Sequence, residues 1–214
     1  MLTHTYPNTK TFKLPKNYYP LSIKIVTQFF KSIAENPLPN NCTHRRIVLL
    51  YDYAGSMYCF DEATDIIAKC AKRISGKLPE HCSIESHFYY NCIRGYLYTS
   101  KSATEYIELC DFTCSKDCDM LVIFISDAGA ARGSNLNARV RATIRDLVKI
   151  RHQTNNCKAI LLNPVPQERW LGTSAERIAR VVHSFHLSEK TLGDVSTFIN
   201  NPNYKQILGN DDDE

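Results

Sequence analysis

Two hydrophobic segments of the sequence each end in an aspartate that is followed by small residues. In the segment 46–57 (RIVLLYDYAGSM), Asp52 and Ser56 follow the apolar run. In the segment 120–129 (MLVIFISDAG), Asp127 follows the apolar run in the same way. Carboxylate and hydroxyl oxygens are the ligands that hard divalent cations take in proteins. The pattern therefore predicts that these side chains share a cation site.

Buried parallel strands are the elements that would bring the two aspartates together. Residues 47–50 form an unbroken apolar run, which is typical of a strand that is covered on both faces. The carboxyl ends of parallel strands meet at one edge of the sheet, and open α/β sheets place their ligand sites at that edge. We expect the rest of the chain to serve as the scaffold for this edge.

The remaining sequence alternates between helical and strand patterns. Strands are predicted over 46–52, 83–90, 120–126, 157–162 and 185–187. Helices are predicted over 21–34, 61–75, 103–109, 134–152 (capped by Ser134), from the capping box at 173–176, and over 189–200. This alternation predicts an α/β fold: a doubly wound, mainly parallel sheet with helices on both faces and a short N-terminal helical extension.

The same patterns divide the chain into three parts. Residues 1–41 are predicted to form an N-terminal extension with one helix, and residues 42–200 a single α/β domain. Residues 201–214 are predicted to be a polar, acidic tail that ends in DDDE.

Composition narrows the classes of function. A net charge of +4 with an acidic end does not indicate nucleic-acid binding, and no apolar run is long enough to span a membrane. The N-terminus carries no apolar segment of the export type, so the nine cysteines are expected to be reduced thiols. Together these features predict a cytoplasmic protein.

Several familiar catalytic motifs are missing from the sequence. Neither a nucleotide-binding Gly-x-x-x-x-Gly-Lys-Ser/Thr loop nor a Gly-x-Ser-x-Gly elbow is present. The segment 129–134 (GAARGS) precedes a predicted helix and has two interpretations: an anion-binding loop, or a turn with a helix cap.

In combination, several stretches resemble one known family. YDYAGSM and ISDAGAARG, each after a hydrophobic strand, resemble the von Willebrand factor A (VWA) domain and its metal-ion-dependent adhesion site. HFYYNCIRGYLY and LLNPVPQERWLGTSAERIARVV are similar to the CoxE-like bacterial VWA proteins that work beside MoxR-type AAA+ ATPases. NYYPLSIKIVTQFF is similar to the segment that precedes the VWA domain in that group. The resemblance spans residues 17–199.

The resemblance implies a divalent cation, usually Mg²⁺ and alternatively Mn²⁺. Its ligands are an Asp-x-Ser-x-Ser motif, a threonine from a second loop and an aspartate from a third. Asp52 and Ser56 match the first and last places of the motif, and Asp127 matches the third-loop aspartate. Position 54 is alanine where the family has a serine, so weaker metal binding is expected.

The threonine ligand has two candidates. Thr104 is favoured because it lies nearer a predicted helix start, and Thr99 is the alternative. A metal-free interpretation is also open, in which the two aspartates cap turns and Arg132 is their positive partner.

Side chains around the edge are predicted to bind a protein partner. They are Tyr53, Met57, Arg132 and Trp170, although Trp170 has the alternative interpretation of a lid packed over the sheet. The function implied is a non-enzymatic adaptor for a MoxR-type AAA+ ATPase or its client. Alternatives are a metal-assisted hydrolase at the same edge, disfavoured because no histidine lies in the edge motifs, and a metal-free VWA scaffold.

Overall fold

The fold is built on one seven-stranded sheet. The computed structural model describes residues 21–112, 114–152 and 156–201, so the predictions for residues 1–20 and for the acidic tail from 202 onward lie outside the described residues. The strands are β1 (His44–Asp52), β2 (Cys82–Tyr89), β3 (Tyr96–Tyr98), β4 (Tyr106–Glu108), β5 (Cys118–Ile125), β6 (Asn156–Asn163) and β7 (His183–His186). Their order in the sheet is β4-β3-β2-β1-β5-β6-β7.

Five of the strands run parallel, and β3 and β4 are antiparallel additions beyond β2. β1 lies between β2 and β5, and Tyr51 on β1 is in register with Ile125 on β5. Every residue of β5 is buried, which agrees with the apolar run that predicted this strand. The central position of β1 brings the ends of β1 and β5 side by side.

Within the described residues, five α-helices cover the two faces of the sheet. They are α1 (Ile23–Ala34), α2 (Asp61–Ser75), α3 (Asn137–His152), α4 (Ser174–Ile178) and α5 (Glu189–Ile199). Side chains of α1, α2 and α5 meet Leu49, Ile123 and Leu162 on one face. Side chains of α3 and α4 meet Phe124 and Leu161 on the other. The predicted doubly wound, mainly parallel α/β architecture is therefore confirmed.

α1 packs as part of the common core. Ser22 caps its N-terminus, and its buried side chains Phe29, Phe30 and Ile33 belong to the same cluster as the strands of the sheet. The segment after α1 is held by Arg45 of β1, whose guanidinium donates to the carbonyl oxygens of Ile33 (2.6 Å), Asn36 (2.8 Å) and Pro37 (3.2 Å). The division at residue 41 therefore does not separate two cores.

The predicted helix over 103–109 is wrong. Residues Tyr106–Glu108 form strand β4, which pairs with β3 so that Leu97 lies opposite Ile107 and Tyr98 opposite Tyr106. Aromatic and β-branched residues gain more from cross-strand contacts than from an isolated short helix. The Tyr96 and Tyr106 rings lie 5.7 Å apart in such a contact.

The start of α3 also differs from the prediction. The helix begins at Asn137, and Ser134 lies in the preceding loop, where its N–H donates to the carbonyl oxygen of Gly129 (2.9 Å). Its carbonyl oxygen accepts from the N–H of Ser174 (2.8 Å) at the start of α4. Ser134 therefore ties two loops together instead of capping α3.

Candidate functional site at the carboxyl edge of the sheet

Asp52, Ser56 and Asp127 come together at the carboxyl edge, where the parallel strands end. Asp52 is the last residue of β1, and Asp127 follows β5 by two residues. The exposed fractions of Asp52 and Asp127 are 2% and 0%. The Ser56 hydroxyl donates to Asp127 Oδ1 (3.1 Å), which joins the two loops directly.

The Asp52 carboxylate is held by three donors of the protein. Its Oδ1 accepts from the backbone N–H of Ala54 (3.0 Å) and of Asn91 (2.9 Å), and its Oδ2 accepts from the Ser126 hydroxyl (2.7 Å). Burial, with a further contribution from the nearby Asp127 carboxylate, raises the pKa of Asp52 to about 6. The three hydrogen bonds oppose this rise only in part.

Asp127 organises the loop that follows β5. Its Oδ2 accepts from the N–H of Ala131 (3.1 Å), within the short 3₁₀ helix Ala130–Arg132. Its own N–H points at the Met57 sulfur (3.2 Å). These contacts are also the ones expected if the aspartate simply caps a turn.

The donor set at this edge is compatible with a weakly held Mg²⁺ or Mn²⁺. Only oxygen ligands are offered, and no Lys, Arg or His nitrogen among the described residues lies within 4.0 Å of either carboxylate. Two neighbouring buried carboxylates without a close cation favour binding one. However, each carboxylate oxygen already accepts a hydrogen bond from the protein, and Ala54 supplies no side-chain ligand.

The structure does not bring Thr104 to the aspartates. Thr104 lies in the β3–β4 hairpin, three strands along from β1, and its hydroxyl is 3.3 Å from the Ser102 hydroxyl. Thr99, the alternative, directs its hydroxyl to the carbonyl oxygen of Glu105 (3.4 Å) in the same hairpin. The loop that reaches Asp52 is the one after β2, through the backbone of Asn91.

Two of the four predicted partner-binding residues are buried. Met57 is 1% exposed beneath the edge, and Trp170 is 3% exposed with its indole N–H donating to the carbonyl oxygen of Val165 (2.8 Å). The prediction that both side chains belong to an exposed contact surface is therefore wrong. For Trp170, the burial agrees with the alternative interpretation of a lid packed over the sheet. Tyr53 is half-buried and Arg132 is exposed, so both remain accessible at the edge.

Beside the edge lies a row of tyrosines that was not predicted from the sequence. Each ring in this tyrosine row contacts the next, with centroids 5.3–6.1 Å apart, in the order Tyr58, Tyr53, Tyr90, Tyr98, Tyr96, Tyr106. Tyr58 and Tyr106 at its ends are 62% and 60% exposed. The sequence signal was the clustering of tyrosines in YY, which ends the strand predicted over 83–90, and in YLY at 96–98, for which no strand was predicted.

An arginine-rich pocket of about 720 Å³ opens next to the same edge. It is lined by Ser56 and Tyr58 from the first loop, by Asn91 and Arg94 from the second, and by the loop and first turns of α3. The arginines on its wall are Arg94, Arg132, Arg139 and Arg145. Of these, only Arg132 was singled out from the sequence.

The fold defines the class of protein: a three-layer, doubly wound α/β protein with a polar carboxyl edge. No family model matches the sequence, and no curated protein does. Among solved structures, a hypoxanthine-guanine phosphoribosyl transferase from L. donovani is similar at 12% identity with a TM-score of 0.27, over 78% of this chain and 81% of that chain. A TM-score this low carries no argument about function.

Proposed function

We propose that this chain is a non-enzymatic, VWA-type protein-binding module of the cytoplasm that acts with a MoxR-type AAA+ ATPase or its client. The observation that carries the proposal is that Asp52 and Asp127 lie at the ends of neighbouring strands, on loops that the Ser56–Asp127 hydrogen bond joins, beside the exposed Tyr58. The family part of the proposal, including the ATPase, rests on the sequence resemblance.

The aspartates would hold the cation of the proposed site. Asp52, Ser56 and Asp127 offer oxygen ligands to Mg²⁺ or Mn²⁺, and a bound cation would supply an open position for a carboxylate of the partner. The protein itself contributes the fixed orientation of these oxygens, through the N–H groups of Asn91 and Ala131 and through the Ser126 hydroxyl.

Tyrosines would supply most of the contact area. Tyr53, Tyr58 and Tyr90 surround the end of β1, and their rings support one another at centroid distances of 6.1 Å. Lys101 lies over the Tyr53 ring at 5.1 Å and pairs with Asp65 (2.6 Å), which fixes the ring further. Tyrosine buries large area at little conformational cost, which suits an interface anchor.

The contact surface is tested with the purified MoxR-type ATPase of the same organism. Tyr58→Ala is expected to weaken binding by about fivefold or more, the range of an interface anchor. Val148→Ala, an exposed apolar position on α3 that is 40% exposed, is the matched control and should bind like the parent. Unchanged binding in Tyr53→Ala, Tyr58→Ala and Tyr90→Ala would refute the assignment of the surface.

The cation is tested on the chain alone, because the ATPase itself requires Mg²⁺. Calorimetric titration with Mg²⁺ and Mn²⁺ is expected to show weak binding that is lost in Asp127→Asn and strengthened in Ala54→Ser. If Ala54→Ser binds no better than the parent, position 54 does not face the ion. If the parent shows no heat with either ion, the carboxylates act only as turn caps and the metal part of the proposal falls.

A further inference from the structure

We propose that the arginine pocket binds a phosphorylated small molecule. The pocket borders the proposed cation ligands, with Ser56 on its wall, and its ligand does not depend on the proposed ATPase partner. Its volume of about 720 Å³ lies within the range of pockets that hold drug-sized ligands.

The charge of the pocket wall is the first reason. Among the described residues, its lining includes four arginines and no aspartate, glutamate or histidine. Arg145 pairs with the buried Asp146 (3.1 Å), whereas no carboxylate among the described residues lies within 4.0 Å of the guanidinium groups of Arg94, Arg132 or Arg139. Three guanidinium groups without a counterion surround one cavity, which favours a ligand of multiple negative charge.

Arg139 is the second reason, because its charge is buried. The residue is 9% exposed, and its Nη2 donates to Asn91 Oδ1 (2.6 Å), whereas its Nη1 has no acceptor among the described residues. Removing a guanidinium from water is costly unless an anion compensates it. Nη1 itself lies against Gly129, but the residue forms part of the pocket wall, so its uncompensated positive charge acts on an anion in the pocket at short range.

The backbone leaves room for these guanidinium groups. A Cβ at position 129 would lie 2.5 Å from Arg139 Nη1, and a Cβ at position 55 would lie 3.0 Å from Arg132 Nη2. Glycine at both positions therefore allows the two arginines to approach the loops closely. On α3, Ala142 lies three residues after Arg139 and three before Arg145. Its small side chain leaves the space between the two arginines open.

Several guanidinium groups from separate segments suit a phosphate better than a carboxylate. A carboxylate is satisfied by one arginine fork, whereas a phosphate group offers three oxygens and up to two charges. The rim of the pocket adds Tyr58, which is 62% exposed, and Leu136, which is 54% exposed. A ring or apolar group attached to the phosphate would cover these two side chains, so a nucleoside diphosphate has the matching chemistry.

The test is calorimetric titration of the full chain with pyrophosphate and with ADP, in the presence of a chelator so that no divalent cation contributes. Both ligands are expected to bind, and ADP more tightly than pyrophosphate. Arg132→Gln and Arg139→Gln should each weaken binding by about tenfold or more, the usual loss of a charge-assisted contact. Arg141→Gln is the matched control, because Arg141 is an exposed residue of the same helix and does not line the pocket.

Arg132 is exposed, so its variant keeps the test valid if Arg139→Gln fails to fold in a thermal melt. Absence of pyrophosphate binding would overturn the proposal. An equal loss of affinity in Arg141→Gln would overturn it as well, because it would indicate non-specific attraction to positive charge. Binding of a phosphoserine peptide with no binding of ADP would overturn the small-molecule assignment. None of these results bears on the ATPase experiment, so the two proposals fail separately.

Discussion

At the scale of single residues, Asp52 is the most informative side chain. It is almost completely buried and close to Asp127, and yet it accepts three hydrogen bonds. Its raised pKa shows that these hydrogen bonds do not cancel the cost of burying its charge. The carboxylate is therefore maintained at this edge at the expense of stability.

This cost predicts a pH dependence. The pKa of Asp52 rises from 3.8 to about 6 on folding, so its contribution to stability is complete below about pH 4 and is lost as the pH rises through 6. Asp52→Asn removes the ionisation. In chelator, its free energy of unfolding relative to the parent should therefore rise by roughly 2 kcal/mol between pH 4 and pH 7.

Urea unfolding at several pH values measures this difference. A difference that stays constant from pH 4 to pH 7 would show that Asp52 ionises as easily in the folded chain as in the unfolded one. Added Mg²⁺ should reduce the difference at pH 7, because the ion stabilises the ionised pair only in the parent.

Gly129 gives a second prediction at this scale. Its φ is +89°, and an added Cβ would lie 2.9 Å from the backbone oxygen of Ser134 as well as against Arg139. Gly129→Ala should therefore destabilise the fold by about 2 kcal/mol or more, since strain and a clash add together.

Gly133→Ala is the matched control for this prediction. Gly133 also has a positive φ, +63°, but a Cβ there would meet nothing within 4 Å. Its variant should lose only the backbone strain, about 1 kcal/mol. Equal losses in the two variants, measured by thermal or urea unfolding, would show that the close approach to Ser134 and Arg139 costs nothing.

The sequence predicted the positions of the two aspartates better than it predicted the side chains around them. Asp52, Ser56 and Asp127 follow strands, and strand ends converge wherever parallel strands are neighbours. The direction of a side chain in the next loop has no such rule, so Met57 was expected at the surface and is buried. Arg139 was missed because a basic residue in a polar helix is normally a solvated one.

At the scale of elements, the hairpin of β3 and β4 was the least predictable part. Each strand has only three residues, which is too short for an alternating pattern to be recognised. Both exist because their tyrosines contact one another across the strands and onward to Tyr90. Such contacts are invisible to local periodicity, and the tyrosine row was missed for the same reason.

Arg45 carries a prediction about how the elements are joined. It pairs with Asp119 of β5 (2.7 Å), with exposed side-chain fractions of 4% and 5%, and also binds the segment after α1. Arg45→Ala leaves Asp119 buried without its partner, and should lower the free energy of unfolding by about 3–5 kcal/mol.

Arg180→Ala is the control for the loss of a salt bridge. Arg180 pairs with Glu176 (3.1 Å) on the surface, where its side chain is 72% exposed, so little change in stability is expected. Urea unfolding compares the two variants. Similar losses in the free energy of unfolding would mean that burial does not strengthen the contribution of the Arg45–Asp119 pair.

At the scale of the whole molecule, the alternation of helices and strands was sufficient to predict the architecture. It was not sufficient to predict the order of the strands or the antiparallel extension, because both depend on contacts between distant segments. Contacts between distant segments also join the predicted extension at residues 1–41 to the rest of the chain, because α1 shares its apolar face with the core.

This sharing predicts that the segment 42–214 will not fold alone. Phe29, Phe30 and Ile33 would be removed from the core, at about 1.5–3 kcal/mol for each large side chain. The sum is comparable to the whole stability of a typical domain, about 5–15 kcal/mol. The matched control is the segment 21–214, which keeps α1. A cooperative thermal transition for 42–214, followed by circular dichroism, would show that α1 is dispensable.

Asn91 connects the two ligand sites proposed at the carboxyl edge. Its backbone N–H holds Asp52, and its side-chain oxygen holds Arg139, so one residue touches both the cation ligands and the arginine pocket. If Mg²⁺ changes the affinity for pyrophosphate by some factor, pyrophosphate must change the affinity for Mg²⁺ by the same factor. If that factor differs from one, a ligand at either site changes the occupancy of the other through Asn91, a residue that itself carries no charge.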